Sequence, residues 1–151
     1  MIKINFVCYG NICRSPIAEF VMKNLVDKAG IAENFLIESS GCYPSVGTPI
    51  HVGSCRELKR NNIPFTHRTS KEFTRDVYKK FDYVICMDKS NVRAAKYISD
   101  GDPDKKIFLL MDFAGEHRDV DDPYYTDEYD VAYRDIAKGC EALIKTLIKS
   151  V

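Results

Sequence analysis

The chain has 151 residues, of which 45% are hydrophobic and 29% charged, proportions that suit one compact domain with a substantial core and exclude a disordered chain. Its 22 basic and 22 acidic residues cancel, which argues against broad nucleic-acid or anionic-membrane binding. No apolar run reaches the roughly 20 residues of a membrane span.

The first predicted strand, Lys3–Val7, runs into a loop containing Gly10. A helix is predicted over Pro16–Lys28, with Ser15 as N-cap and Pro16 in the first helical position. Ile17, Val21, Leu25 and Ala29 share one stripe of it, and Gly30 is its stop. A second strand, Phe35–Ser39, is followed by the turn-rich segment Ser40–Ser45 and a helix over Ile50–Asn62. Thr69-Ser70-Lys71-Glu72 has capping-box spacing, so a short helix is expected to open there.

The clearest central strand is Phe81–Met87; a helix over Ser90–Ser99 and a fourth strand over Ile107–Met111 come next. Residues 112–128, rich in Asp and Gly without an apolar period, read as a long loop of the kind that carries function. The last helix, Asp127–Lys149, places Tyr129, Tyr133, Ile136, Ala137, Cys140, Leu143, Ile144, Leu147 and Ile148 on one face. Strands alternating with helices imply an α/β fold, a three-layer sandwich with a four-stranded parallel sheet, in a single domain over residues 1–151. Ligands of such sheets sit beyond the carboxyl ends of the strands, so the loops after the strands should surround Cys8.

Residues 1–9 are too short and too abruptly ended for a signal peptide. The six cysteines, Cys8, Cys13, Cys42, Cys55, Cys86 and Cys140, are therefore expected as reduced thiols in a cytoplasmic protein. No metal is expected, because Cys8 and Cys13 lack a second close pair to complete a zinc site.

The informative stretch is Ile4 to Pro16. A strand, a tight loop and a helix start in immediate succession aim loop and first-turn amides at one spot, where the helix dipole favours an anion. Cys8 stands at the strand end and Arg14 at the far end of the loop. The amides and the guanidinium stabilise the thiolate, and the planar fork of Arg14 fits two phosphate oxygens. That pairing serves nucleophilic attack on phosphorus, and with Arg14 balancing the charge no cofactor is called for. Leaving-group departure needs an acid, and Asp121-Asp122-Pro123-Tyr124-Tyr125 in the long loop supplies candidates. Pro123 biases Asp122 away from helical geometry.

The run Cys8-Tyr9-Gly10-Asn11-Ile12-Cys13-Arg14-Ser15-Pro16 resembles the signature of the low-molecular-weight protein tyrosine phosphatases, with Tyr9 where leucine is commoner, and Asp-Pro-Tyr-Tyr resembles their second motif. The resemblance implies a flavodoxin-like phosphatase fold and hydrolysis of phosphotyrosine through a cysteinyl-phosphate. It makes Cys8 the nucleophile, Arg14 the phosphate clamp, Asp122 the general acid and then base, and Ser15 a hydrogen-bond donor to the Cys8 sulfur. Tyr9, Gly10, Asn11, Ile12, Cys13, Tyr43, Tyr124 and Tyr125 would line the phosphate and ring site. Asn11 would brace the loop with Ser40, and the histidine of His67-Arg68 would support it. Cys13 would be either core packing or the partner of Cys8 in a protective disulfide, and Tyr124 and Tyr125 are phosphorylation candidates. His51 stands where many relatives have aspartate and receives no role. Expected partners are phosphotyrosine-containing proteins, with no nucleic acid and no membrane, the chain acting as a monomer or weak dimer.

Rivals remain. Protein-arginine phosphatases of the same fold favour threonine where Ile12 stands, and arsenate reductases need a downstream cysteine pair, whereas Cys86 is alone in its strand. A non-catalytic phosphate-binding or phospho-cysteine carrier module would need the loop but not Asp122.

Overall fold

The computed structural model describes all 151 residues. Four strands, β1 (Ile2–Cys8), β2 (Phe35–Gly41), β3 (Tyr83–Cys86) and β4 (Ile107–Leu109), form one sheet in the order β2-β1-β3-β4. All neighbours are parallel, with Ile4 opposite Ile37 on one side and Tyr83 on the other. β1 is the central strand because its run is apolar on both faces: Ile4, Phe6 and Cys8 enter one core and Val7 the other.

Six α-helices cover the sheet: α1 (Arg14–Lys28), α2 (Val52–Arg60), α3 (Arg75–Lys80), α4 (Lys89–Ile98), α5 (Pro123–Thr126) and α6 (Tyr129–Leu147). α1 and α6 bury Ile17, Phe20, Val21, Ile136, Cys140 and Leu143 against Phe6 and Ile85 in the larger core. α3 and α4 cover the other face with Tyr78 and Ala95 over Val7, Val84 and Cys86. The sandwich expected from the alternating pattern is thus formed, and the switch in strand order falls at the carboxyl end of β1, where Cys8 stands.

Local expectations failed in three places. No helix opens at Thr69: that residue bridges Pro49, and the Ser70 hydroxyl donates to Ser45 O (2.6 Å) and accepts from Thr48 N (3.0 Å). Bonds across the fold thus outcompete local capping, and the helix starts at Arg75 behind a Thr74 cap. The segment 112–128 is not continuous loop: a 3-10 turn (Leu110–Ala114), which ends β4 early, runs into its first residues, and α5 opens at Pro123. Finally, Ser15 does not cap α1. The helix begins one residue earlier, at Arg14, with Cys13 in the N-cap position and no side chain capping it.

Candidate active site

The β1–α1 loop turns at Asn11, not at Gly10: Asn11 holds a left-handed φ of +57°, a conformation asparagine tolerates better than most residues. Its fully buried side chain is bonded at every polar atom. Nδ2 donates to Ser15 Oγ (2.8 Å) and Ser39 Oγ (3.0 Å), and Oδ1 accepts from Lys71 N (2.9 Å) and Arg68 Nη2. The backbone N–H of Asn11 points at Cys8 Sγ (3.3 Å). With Asn11 Nδ2 occupying a lone pair of Ser15 Oγ, the hydroxyl proton is free to donate to Cys8 Sγ at 3.0 Å, closer than its other acceptor, Ser40 O at 3.4 Å. The sulfur of Cys8 thus faces two donors from the chain, on a residue that is 2% exposed.

Arg14 is 1% exposed, a placement a guanidinium keeps only when paired. Nη1 donates to Asp88 Oδ2 (2.6 Å) and Val120 O (2.8 Å), and Nη2 lies 3.3 Å from Asp122 Oδ2. Nε has no partner. Burial works against its charge, but Cys8, Asp122 and Asp88 outweigh that and hold its pKa above the ordinary value. Asp88 reaches Arg14 because it also caps α4 at the carboxyl end of β3, accepting from Asn91 N with its other oxygen.

Asp122 is the N-cap of α5 and accepts from Tyr124 N (3.1 Å), while Asp121 beside it is exposed. The loop bearing Asp122 is fastened at the carboxyl end of β3, where Val120 N donates to Met87 O (2.9 Å). As a result Cys8, Arg14 and Asp122 open into one cavity of about 250 Å³, with Tyr9, Gly10, Ile12, Cys13, Tyr43, Tyr124 and Tyr125 lining it together with Ser45. Tyr9 and Tyr43 pair at 5.3 Å, and Tyr124 and Tyr125 pair edge to face at 5.5 Å, so aromatic rings stand at the mouth and charge at the floor. Cys13 is buried beside the floor; burial and the neighbouring Cys8 push its thiol up to about 12 against the opposing bond from Tyr129.

Two expected loop supports are displaced. Ser39, not Ser40, is the hydroxyl that meets Asn11; Ser40 Oγ turns to Asn5 Oδ1 (2.6 Å) on β1, since alternate residues of β2 face opposite sides. His67 is exposed and makes no hydrogen bond to the loop, whereas its neighbour Arg68 donates to Asn11 O (2.8 Å), Asn11 Oδ1 and Ser39 Oγ (3.2 Å). Ser39 in turn donates to the buried Glu19 (2.6 Å). No local sequence pattern points to Arg68, Ser39 or Glu19 as parts of the site. Only Asp88 carried a signal, its Asp-x-x-Asn capping box directly after an apolar strand.

Gly41 ends β2 against this loop: a Cβ there would lie 2.8 Å from Tyr9 O and 3.0 Å from Asn11 N. The close approach of the two backbones therefore requires glycine.

Residues 3–151 match the family model described as low molecular weight phosphotyrosine protein phosphatase. Curated relatives include low molecular weight protein-tyrosine-phosphatase PtpA of Staphylococcus aureus, 37% identical over 99% of this chain and 96% of that one, and its Staphylococcus haemolyticus counterpart, 38% identical with the same coverage. Among solved structures, YfkJ from Bacillus subtilis superposes with a TM-score of 0.96 at 33% identity, covering 99% of this chain and 96% of that one. The YwlE arginine phosphatase, solved as a mutant with a phosphorylated active-site serine, superposes with a TM-score of 0.89 at 26% identity, covering 98% of both chains.

Proposed function

Because this chain belongs to the low molecular weight phosphotyrosine protein phosphatase family, we propose that it hydrolyses phosphotyrosine and small aryl phosphates through a cysteinyl-phosphate on Cys8. One observation carries the reading. Arg14 is buried beside the Cys8 thiol with its Nε unpartnered, in the same cavity as the carboxyl of Asp122. An unpartnered donor on a buried cation costs on the order of 1–3 kcal/mol or more, a cost the fold retains where a ligand oxygen is to be received.

The reaction follows from the geometry. The phosphoryl group of the substrate docks on the loop amides, the uncapped first turn of α1 and the Nε/Nη2 edge of Arg14, the Nη1 side being held by Asp88 and Val120. Phosphate taking Nη2 releases Asp122 from its 3.3 Å ion pair. The Cys8 thiolate attacks phosphorus, the P–O bond to the phenol breaks, and Asp122 gives its proton to the departing oxygen. Water then attacks the thiophosphate, Asp122 takes a proton from it, and the S–P bond breaks to return thiolate and phosphate. Arg14 and the amides hold the equatorial oxygens in both steps, and Ser15 donates to the sulfur as it departs.

The aromatic mouth above a recessed phosphate seat suits a planar phenyl ester better than the short side chain of phosphoserine. Ile12 lines the cavity and offers no hydroxyl, which favours phosphotyrosine over phosphoarginine, the substrate class suggested by the YwlE neighbour. Six unpaired cysteines are in keeping with action in the reducing cytoplasm, as one domain on phosphoprotein substrates. The test is turnover of p-nitrophenyl phosphate and of phosphotyrosine, phosphoserine and phosphoarginine peptides by the wild type, Cys8→Ser and Asp122→Ala. Expected are phosphotyrosine preference, no turnover by Cys8→Ser, and a loss of about 10²–10⁴-fold in Asp122→Ala. Turnover retained by Cys8→Ser would overturn the mechanism.

A further inference from the structure

His51 has no part in the chemistry above, yet it touches three pieces of the site. Its backbone N–H donates to Ile12 O (2.9 Å) in the phosphate loop. Its ring lies flat on Tyr129 at 5.0 Å and 11°, and meets Tyr124 edge to face at 6.4 Å and 80°. Its Nδ1 accepts from Gly53 N (3.0 Å) and so caps α2.

We infer that His51 is a positioning residue for substrate selection, one that holds the Tyr124 wall of the cleft in place; the inference rests on the phosphotyrosine reading above. Tyr124 needs such a hold. It is 62% exposed on a helix of four residues, and its one other aromatic neighbour, Tyr125, is 80% exposed. A helix that short has no stability of its own. His51, by contrast, is oriented from every side. The bond accepted by Nδ1 places the proton of the neutral ring on Nε2, which donates to Tyr129 Oη at 3.4 Å, and the Tyr129 hydroxyl is left to donate to Cys13 Sγ at 3.8 Å. Tyr129 is 3% exposed and cannot swing. Gly53 leaves room for it: a Cβ there would meet the Tyr129 ring at 2.8 Å.

Orientation is thereby transmitted from the loop, through Cys13, Tyr129 and His51, to a ring at the mouth. A phosphotyrosine entering beside Tyr124 finds the wall already ordered and loses less freedom on binding. Inorganic phosphate, which meets only the loop and Arg14, does not sense the wall.

Two substitutions separate the ring from the cap. His51→Asn keeps a side-chain acceptor for the α2 N-terminus and removes the ring. His51→Phe keeps the ring and removes the acceptor. For His51→Asn, KM for a phosphotyrosine peptide should rise about three- to tenfold with kcat within about twofold, while the Ki of inorganic phosphate stays unchanged. His51→Phe should melt at lower temperature yet keep a KM within about twofold of wild type. An unchanged KM in His51→Asn, or a phosphate Ki that moves in parallel with KM, would overturn the inference and leave the phosphatase reading standing. Wild-type protein that fails to hydrolyse the peptide would overturn both.

Discussion

Replacing Arg68 by methionine tests whether the left-handed turn at Asn11 is held from outside the loop. Arg68 makes three bonds, but they are not equivalent. Asn11 Oδ1 keeps Lys71 N, and Ser39 Oγ keeps both Glu19 and Asn11 Nδ2, so only Asn11 O loses its single partner. The loss is therefore about one buried carbonyl, ~1–3 kcal/mol, rather than the sum of three charge-assisted bonds. The strain of a non-glycine residue at φ +57°, roughly 1 kcal/mol, lets the loop relax and offsets part of that cost. A net cost of about 1 kcal/mol corresponds to a fall in Tm of about 2–4 °C for a chain of this size. The larger effect should be on catalysis, because Asn11 N–H points at Cys8 Sγ and a shift of ~1 Å costs up to about 10²-fold in rate. Arg68→Lys should not rescue, since a point charge cannot serve Asn11 O and Oδ1 together. Circular-dichroism melts and p-nitrophenyl phosphate kinetics read the two effects separately. A variant that melts lower but keeps kcat/KM within about twofold would refute the claim that Arg68 sets the catalytic geometry of the loop.

Gly41→Ala should be among the most damaging small substitutions. Its Cβ would press on Tyr9 O and Asn11 N, so kcat/KM should fall more than about 100-fold with a stability loss of roughly 1–3 kcal/mol, checked by kinetics and urea unfolding. Asp102→Ala should do the reverse: Asp102 accepts from Tyr78 Oη, Lys106 N and Ile107 N, away from the cavity, so stability should drop by about 2–3 kcal/mol with kcat unchanged. One contribution to the alkaline pH dependence of stability comes from Cys42, whose thiol is pushed from 9.0 up to about 12 by burial and by Cys8 and Asp88, beside those of the other buried thiols. The unfolded chain releases that proton near pH 9 and the folded chain holds it, so the contribution is complete below pH 9 and lost as pH rises toward 12. Urea midpoints measured from pH 7 to 11 should therefore decline above pH 9, less steeply in Cys42→Ala; parallel curves would contradict this.

The site was legible where chemistry and spacing lie within one stretch of chain. Cys8 to Arg14 spans a strand end, a turn and a helix start, whose geometry is local, whereas the short helix opening at Pro123 lies in a segment that reads as loop. Supports drawn from elsewhere lie one position from where the sequence places them. Ser39 and Ser40 differ in which face of β2 they occupy, and His67 and Arg68 in which of two adjacent side chains turns inward. Adjacent residues in extended chain point opposite ways, and nothing local says which way is in. The failed capping box at Thr69 has the same origin, since Ser70 bonds across the fold to Ser45 and Thr48.

From sequence alone came the alternation of strands and helices, the parallel sheet, and the strand–turn–helix start with its thiol, because apolar period and helix-start chemistry act over a few residues. Tertiary structure alone determined that Arg14 would rest on Asp88 and Val120 with Nε free, whereas the sharing of one cavity by Cys8 and Asp122, more than a hundred residues apart, was implied by the family resemblance and not by local chemistry. Those outcomes depend on which strands neighbour β1, and strand order is settled by burial summed over the whole chain, which no single segment encodes.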